Sequence, residues 1–295
     1  MIDAMLVFVA QTVTASVPIV LAAMGGTLSE RAGVATLALE GYLLGGAFGA
    51  AVAALAWQST AAALLAAALV GAALGALFAI ATVRLRANAI VAGVAINLLA
   101  AAGTRVALKV LYDSASNSPP LLNRAARSGA LARVAFLDAV TQPVAWLAPL
   151  CVLAVYFTLN RTVFGLRVRA AGENPEACRA QGVSVDRVRF TALVLGGAIA
   201  ALGGAHLTLL QHEFVAFMSG GRGFLGLAAV ILGGWRPGRA ALAAVAIGML
   251  TALEATLAGR VPFPSAVLQA LPFVATLIAV VGVVGRTRPP RALSA

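Results

Sequence analysis

Glu40 is the polar residue that stands out most in this sequence, because it lies within a long apolar run, residues 33–55. A charged side chain at the centre of a bilayer costs at least ~2.5 kcal/mol, so such a residue normally faces a cavity or a polar partner. Glu40 could therefore form a polar contact or a gate in a translocation path. It could equally be a protonated or hydrogen-bonded residue that packs one helix against another, and both interpretations stay open.

Other polar side chains fall inside or at the end of apolar runs. Asn97 lies within residues 90–111, and Gln211 and His212 close the run 190–211. Amide side chains in such places hydrogen-bond either a polar ligand or a neighbouring helix. For Asn97 the two interpretations stay open, whereas we expect His212 to be an interfacial residue.

Motifs for catalysis and cofactor binding are absent from the sequence. Gly221-x-Gly223-x-x-Gly226 matches a dinucleotide fingerprint in letters only, since no strand precedes it and no βαβ unit surrounds it. A phosphate-binding P-loop needs a Gly-Lys pair, and the only lysine, Lys109, follows Leu108. No His-Glu-x-x-His, Gly-x-Ser-x-Gly or paired-cysteine motif occurs. We therefore expect no enzyme activity, no metal site and no bound cofactor.

One polar stretch, residues 170–182, interrupts the apolar sequence inside its most basic interval. Asn174 is a favourable N-cap, Pro175 fits the first helical position, and Gly182 can end the helix in the left-handed conformation. Ser184 is expected to cap the next helix. A short capped helix between two membrane spans has the shape of a docking element, although an idle cytoplasmic loop fits the same pattern.

The composition of the chain indicates a membrane protein. Of its 295 residues, 61% are hydrophobic and 11% are charged, whereas a soluble domain has roughly 25% charged residues. The apolar runs are continuous rather than alternating, which favours helices over a β-barrel. The net charge of +11 comes from scattered basic residues without interleaved aromatic residues, so we expect no nucleic-acid partner.

Nine apolar segments predict an all-α fold, a polytopic transmembrane helical bundle of about nine (eight to ten) spans with broken or re-entrant helices. The segment 222–235 is too short for a straight crossing. Glycine-interrupted runs at 24–33 and 218–224 occupy comparable places in the two halves, a pattern typical of broken helices along a transport path. The nine segments are 5–28, 33–55, 60–83, 89–111, 143–160, 190–211, 222–235, 239–258 and 265–285.

Small residues at four-residue spacing recur along the chain. They predict close packing of helices, since glycine lets two helix backbones approach each other in lipid. The residues are Gly41, Gly45, Gly49, Gly71 and Gly75, with the pairs Gly196-Gly197 and Gly203-Gly204.

The distribution of basic residues predicts the orientation in the membrane. With the amino terminus outside, about two thirds of the 21 basic residues fall on one side, which the positive-inside rule assigns to the cytoplasm. The loop 161–189 and the carboxyl terminus then lie in the cytoplasm. The loop 112–142 lies outside, where it is a connector or a surface for an external partner.

Four blocks of the sequence follow each other in this order: Ser29–Gly41, Ala87–Asn97, Thr162–Pro175 and Gly221–Pro237. Together they resemble the permease subunits of bacterial ATP-binding cassette (ABC) importers for nucleosides and simple sugars. These importers work with binding lipoproteins of the basic-membrane-protein type and belong to the branched-chain amino acid and ribose permease superfamily. The segment 176–182 also resembles the coupling pattern of ABC permeases, Glu-Ala-Ala-x-x-x-Gly, with Cys178 in place of the second alanine. Cys178 is small enough to fit a tight docking groove.

The resemblance implies a single transmembrane permease domain, residues 1–295, in the inner membrane. It implies a separate ATPase subunit that holds ATP and Mg²⁺, a second permease chain, and a periplasmic or lipid-anchored substrate-binding protein. The implied ATPase-coupling residues are Arg169, Glu173, Asn174, Pro175, Glu176, Ala177, Cys178 and Gly182. The expected substrate pathway comprises Glu40, Gly41, Asn97, Gln211, Phe217, Arg222 and Phe224.

A second function from another class is an ion-coupled secondary transporter of a small polar solute. It would use Glu40 as the titrating group and would need no ATPase. The sequence distinguishes neither a nucleoside from a purine base or a pentose, nor a homodimer from a heterodimer.

Overall fold

The computed structural model describes residues 2–121, 145–258, 265–283 and 289–293. Within these ranges the chain is helical, and its extended pairing is limited to one isolated bridge between Asn117 and Val215. The predicted all-α class is therefore confirmed. The remainder of the outer loop 112–142 after residue 121, the start of segment 143–160 and the end of segment 265–285 lie outside the described residues.

The helices of the described residues follow the apolar segments closely. A π-helical turn, Ile80–Arg84, extends α3, and a 3₁₀ turn, Arg291–Leu293, closes the described chain. The helices are α1 (Ile2–Arg31), α2 (Leu39–Trp57), α3 (Thr60–Ala79), α4 (Ala89–Tyr112), α5 (Leu147–Arg161), α6 (Val163–Glu173), α7 (Pro175–Ala180), α8 (Val185–Gln211), α9 (Arg222–Leu232), α10 (Pro237–Leu257) and α11 (Ser265–Val283).

Six helices of the described part are long and apolar enough to cross a membrane: α1, α2, α3 with its extension, α4, α8 and α10. A seventh span results if α5 and α6, which meet at a bend of 75°, are counted together. The expected count of about nine spans is therefore not confirmed. The 11 residues of α9 span only ~16 Å, half of the ~30 Å hydrocarbon core, so the prediction that 222–235 is too short for a straight crossing is confirmed.

Helices α2 and α8 form the buried centre of the bundle, and their glycines bring neighbouring backbones together. A Cβ atom at Gly46 would overlap the backbone of Ala201, and one at Gly71 would overlap the backbone of Gly197. Gly75 meets the backbone of Leu193 in the same way, whereas Gly45 and Gly49 face side chains of α3 at less than 3.0 Å. These contacts confirm the predicted close packing.

The first glycine-interrupted run differs from the expectation. Gly25 lies inside the continuous helix α1, where it allows α8 to approach at Gly196, and the chain leaves helical geometry only over residues 32–38. Thr27 and Ser29 donate hydrogen bonds to carbonyls of the preceding turn, which leaves no polar side chain unpaired there. Glu40, which the apolar run 33–55 places inside a predicted span, lies in the first turn of α2, because the helix begins only at Leu39.

We predict that Gly204→Ala destabilises the fold, because its Cβ would overlap the Leu43 carbonyl of α2 and lie 2.6 Å from the Ala47 nitrogen. Such overpacking costs about 1–3 kcal/mol or more. Gly103→Ala is the matched control, since a Cβ there meets no heavy atom within 4 Å and alanine gains about 0.5–1 kcal/mol in a helix. Thermal unfolding of the purified variants in detergent measures both effects, and equal midpoints would contradict the prediction.

Candidate functional site

The connection between α1 and α2, residues 32–38, is the point at which other elements of the bundle meet. Side chains pair its non-helical backbone groups: Arg189 Nε donates to the Ala32 carbonyl (3.0 Å), and Asn97 Nδ2 donates to the Leu37 carbonyl (2.9 Å). The Thr36 N–H donates to Glu30 Oε1 (3.2 Å). Non-helical backbone inside a bundle needs such partners, because lipid offers none.

Glu40 binds the start of α9 through both carboxylate oxygens. The Gly221 N–H donates to Oε1 and the Gly223 N–H donates to Oε2, each at 2.8 Å. The first N–H groups of a helix have no intrahelical partner and carry partial positive charge, so a carboxylate is the side chain best suited to them. A Cβ at Gly223 would collide with the Glu40 backbone. The glycine at position 223 therefore allows α9 to approach the start of α2 closely.

Glu30 holds the other end of α9. The Trp235 indole Nε1–H donates to Glu30 Oε2 (2.6 Å), and Arg31 Nε donates to the Trp235 carbonyl (2.7 Å). Trp235 has φ 57° in the turn that follows α9, and both Glu30 and Trp235 are buried. Two carboxylates that flank one connection thus fasten α9 at both ends. We call the set Glu30, Glu40, Gly221, Gly223 and Trp235 the carboxylate clasp.

Four of the expected pathway residues come together at the clasp: Glu40, Gly41, Asn97 and Arg222. The Gly41 N–H donates to Asn97 Oδ1 (2.7 Å). Arg222 Nη1 donates to the carbonyls of Met218 (3.1 Å) and Ser219 (3.2 Å), which closes the turn before α9.

The other expected pathway residues lie at the edge of this region or away from it. Phe217 is exposed and has the Arg105 guanidinium 5.7 Å from its ring centroid. Phe224, in the first turn of α9, is 46% exposed. Gln211 is the exposed last residue of α8, and its side chain makes no hydrogen bond to the clasp within the described ranges.

Helix α7 has the boundaries predicted for the coupling stretch. Asn174 Oδ1 accepts a hydrogen bond from the Ala177 N–H (3.0 Å), Pro175 is the first helical residue, and Gly182 has φ +73°. The prediction that Ser184 caps the next helix is wrong. Ser184 occupies the N-cap position of α8, but its side chain makes no capping hydrogen bond.

Helix α7 exposes Glu176, Ala177 and Arg179 and buries Cys178, which is 7% exposed and packs in one cluster with Val168 and Val185. The Cys178 side chain, expected to be small enough for a docking groove, therefore packs into the core of its own chain and anchors α7 there.

The residues of the coupling set that precede α7 lie apart from its exposed face. Arg169 lines a cavity next to α5 and α10. Glu173 Oε1 lies 4.0 Å from Arg31 Nη1. Asn174 is exposed like Glu173, and Gly182 is exposed beyond the end of the helix.

Sequence reasoning did not select Glu30 and Trp235, although both lie in the blocks that carry the resemblance. The available signal was chemical: a carboxylate near the end of an apolar helix and an indole N–H in an apolar chain both need partners in lipid. Their separation of 205 residues hides the pairing from any local pattern.

The described helices and the clasp define a multi-pass membrane protein in which a half-length helix is fastened between longer spans. Residues 8–281 match the family described as branched-chain amino acid transport system / permease component. The chain belongs to this family. A permease component works in general with an ATPase and a substrate-binding protein, and the protein is accordingly a multi-pass permease of a bacterial ABC transporter.

Two named permeases are similar to this chain over almost its whole length. The nucleoside ABC transporter permease protein NupC of Lactococcus lactis is 32% identical, over 99% of this chain and 96% of NupC. The guanosine ABC transporter permease protein NupQ of Bacillus subtilis is 30% identical, over 97% of this chain and 94% of NupQ.

A solved structure shares the fold. It is an ABC transporter described as metal-chelate type, in an inward-facing conformation, with a TM-score of 0.51 and 14% identity. The similarity covers 92% of this chain and 86% of that one. At this identity it shows the membrane fold of ABC transporters and nothing about the substrate.

We predict that Glu40→Gln loosens α9, because the amide can accept only one of the two backbone hydrogen bonds and places an NH₂ group against the other donor. A donor left without a partner costs about 1–3 kcal/mol. Glu213→Gln removes the same charge from a carboxylate that makes no hydrogen bond among the described residues, and we expect a change within ~0.5 kcal/mol.

The midpoints of thermal unfolding of the two variants in detergent test this. Equal midpoints for Glu40→Gln and Glu213→Gln would show that the carboxylate does not hold α9.

Proposed function

We propose that this chain is the membrane-spanning subunit of an ATP-driven importer for nucleosides or related purines and simple sugars. The observation that carries the proposal is helix α7, a capped and exposed helix anchored on the core of the permease by Cys178. The permease family and the relatives named for nucleoside and guanosine transport support the same conclusion. The chain itself is not an enzyme in this proposal, and ATP with Mg²⁺ binds to the partner ATPase.

Helix α7 acts as the coupling helix of the permease. Its exposed residues Glu176, Ala177 and Arg179 seat in a cleft of the ATPase, while Cys178 prevents the helix from sliding on its own chain. Closure of the ATPase subunits then moves α7 as a rigid body. The movement reaches the centre of the bundle through α8, which follows α7 directly and packs against α1, α2 and α3.

The substrate pathway follows the clasp. The exposed rings of Phe217 and Phe224 border the turn before α9, and an aromatic face offers a nucleobase a stacking surface. The described hydrogen bonds of Asn97 and Arg222 all go to backbone groups. In this proposal the two side chains shape the pathway indirectly: Asn97 holds the connection 32–38, and Arg222 holds the turn before α9. In this proposal α9 and the connection 32–38 move together when the substrate cavity switches from facing outside to facing the cytoplasm.

The assembly consists of this permease as one domain, residues 1–295, a second permease chain, the ATPase and a periplasmic or lipid-anchored substrate-binding protein. The amino terminus lies outside and the carboxyl terminus in the cytoplasm of the bacterial inner membrane, in accordance with the positive-inside rule. The coupling loop 161–189 then faces the ATPase, and the loop 112–142 faces the binding protein.

An ion-coupled transporter that titrates Glu40 is the less favoured function. Both oxygens of that carboxylate accept backbone hydrogen bonds, so it is committed to holding α9. The two functions differ in their energy source. Uptake by liposomes that contain this chain alone, driven by an ion gradient, would favour the secondary transporter.

We predict that Glu176→Arg abolishes nucleoside uptake, by at least about tenfold, while the protein still reaches the membrane. The reversed charge stands at the N-terminus of α7, where it opposes the helix dipole and alters the docking face. Uptake of radiolabelled guanosine by cells that carry the complete transporter measures the effect.

Lys109→Glu is the matched control, because it reverses a charge on an exposed residue of α4, outside the loops proposed to contact a partner, whose ion pair with Asp113 is solvent-exposed and worth little. We expect its uptake to stay near the wild-type level. Unchanged uptake in Glu176→Arg would contradict the proposed docking.

A further inference from the structure

We propose that the permease binds a phosphate-bearing anion in a cavity between the ends of α1, α5 and α10. The cavity measures about 440 Å³, which is within the ~300–1,000 Å³ typical of small-molecule sites. We call it the arginine cavity. The side chains that line it include Arg31, Tyr156, Asn160, Arg169, Arg236 and Arg239.

The charge in the arginine cavity is strongly unbalanced. Four guanidinium groups line it, and the ion pair that involves them in the described ranges joins Arg31 to Glu173, at 4.0 Å. The Glu173 side chain is 52% exposed, so this pair compensates little charge. Arg169 and Arg236 are close enough to Arg31 to repel its charge. A bound anion would relieve this repulsion.

The cavity also presents hydrogen-bond donors that have no partner in the described structure. Arg169 Nε is buried and unpaired, and Arg236 and Arg239 make no side-chain hydrogen bond within the described residues. Helix α10 begins at this cavity, and Arg236 at its N-cap does not cap it. The N–H groups of Gly238 and Arg239 therefore lack intrahelical partners and add the positive end of a 21-residue helix.

These donors select a phosphate group. Guanidinium groups form paired hydrogen bonds with phosphate oxygens, and helix N-termini favour the same ligand. Basic pockets between membrane helices bind anionic headgroups. An anionic lipid and a soluble phosphate share this chemistry, and Tyr156 and Leu159 give the cavity an apolar side on which either could rest. Arg31 joins the cavity to the clasp, since its Nε donates to the Trp235 carbonyl, but the lining includes no residue of α7 and neither Phe217 nor Phe224 of the proposed pathway. The proposed site does not depend on the transported solute.

The test is thermal unfolding of the full chain, purified in detergent, against four additives at matched ionic strength. These are short-chain phosphatidylglycerol, phosphatidylcholine of the same chain length, sodium phosphate and sodium chloride. We expect a saturable rise of the unfolding midpoint with an additive that has an accessible anionic phosphate. A response to phosphatidylglycerol alone assigns a lipid headgroup, whereas a response to sodium phosphate as well assigns a soluble ligand.

The variant Arg236→Gln/Arg239→Gln should raise the apparent Kd from this titration at least about tenfold, since two charged contacts are lost. Arg239→Gln alone, on an exposed side chain, gives a second reading if the double variant folds poorly. Arg161→Gln/Arg167→Gln removes two exposed charges outside the cavity and should keep the wild-type Kd. The proposal is wrong if no anion raises the midpoint or if both double variants respond alike.

Discussion

The structure depends on one constraint: the terminal backbone groups of a helix that is buried in a bundle must find partners within the protein. Helix α9 meets this constraint differently at its two ends. A carboxylate pairs its first N–H groups, whereas the backbone N–H groups of the following turn pair its last carbonyls, and a second carboxylate holds that turn. Glu40 accepts the N–H groups of Gly221 and Gly223, and Glu30 accepts the indole N–H of Trp235 beyond the other end. Both carboxylates flank the connection between α1 and α2. Helix α9, from the second half of the chain, is therefore attached to this non-helical connection in the first half.

This arrangement divides the protein into a rigid centre and a fastened insert. Helices α2 and α8 approach so closely that glycine is the only residue that fits at several contacts, and such an interface moves as a unit. Helix α9 is held on this centre by close packing at Gly223 and Gly226 and by the hydrogen bonds of Glu40 and Glu30 at its two ends. In the proposed mechanism, a displacement of α7 would therefore reach α9 through the closely packed helix α8.

The sequence predicts the features that depend on neighbouring residues. The cap by Asn174, the start at Pro175 and the end at Gly182 follow from local rules, and the structure confirms them. The position of Glu40 could not be predicted in this way, because its partners lie 181 and 183 residues away. The prediction of a break near Gly25 is wrong because glycine in a helix permits either a break or a close contact. The position of α8 against Gly25 decides for the close contact.

The most direct test of this account is a double-mutant cycle on the buried hydrogen bond of the clasp. Glu30→Met and Trp235→Phe each remove one partner, and chemical unfolding in detergent measures the free energy of each single variant and of the double variant. If the bond fastens α9, the two effects are coupled by about 1–3 kcal/mol. Effects that add to within ~0.5 kcal/mol would mean that Glu30 and Trp235 act independently, and the clasp would not be what holds α9 in place.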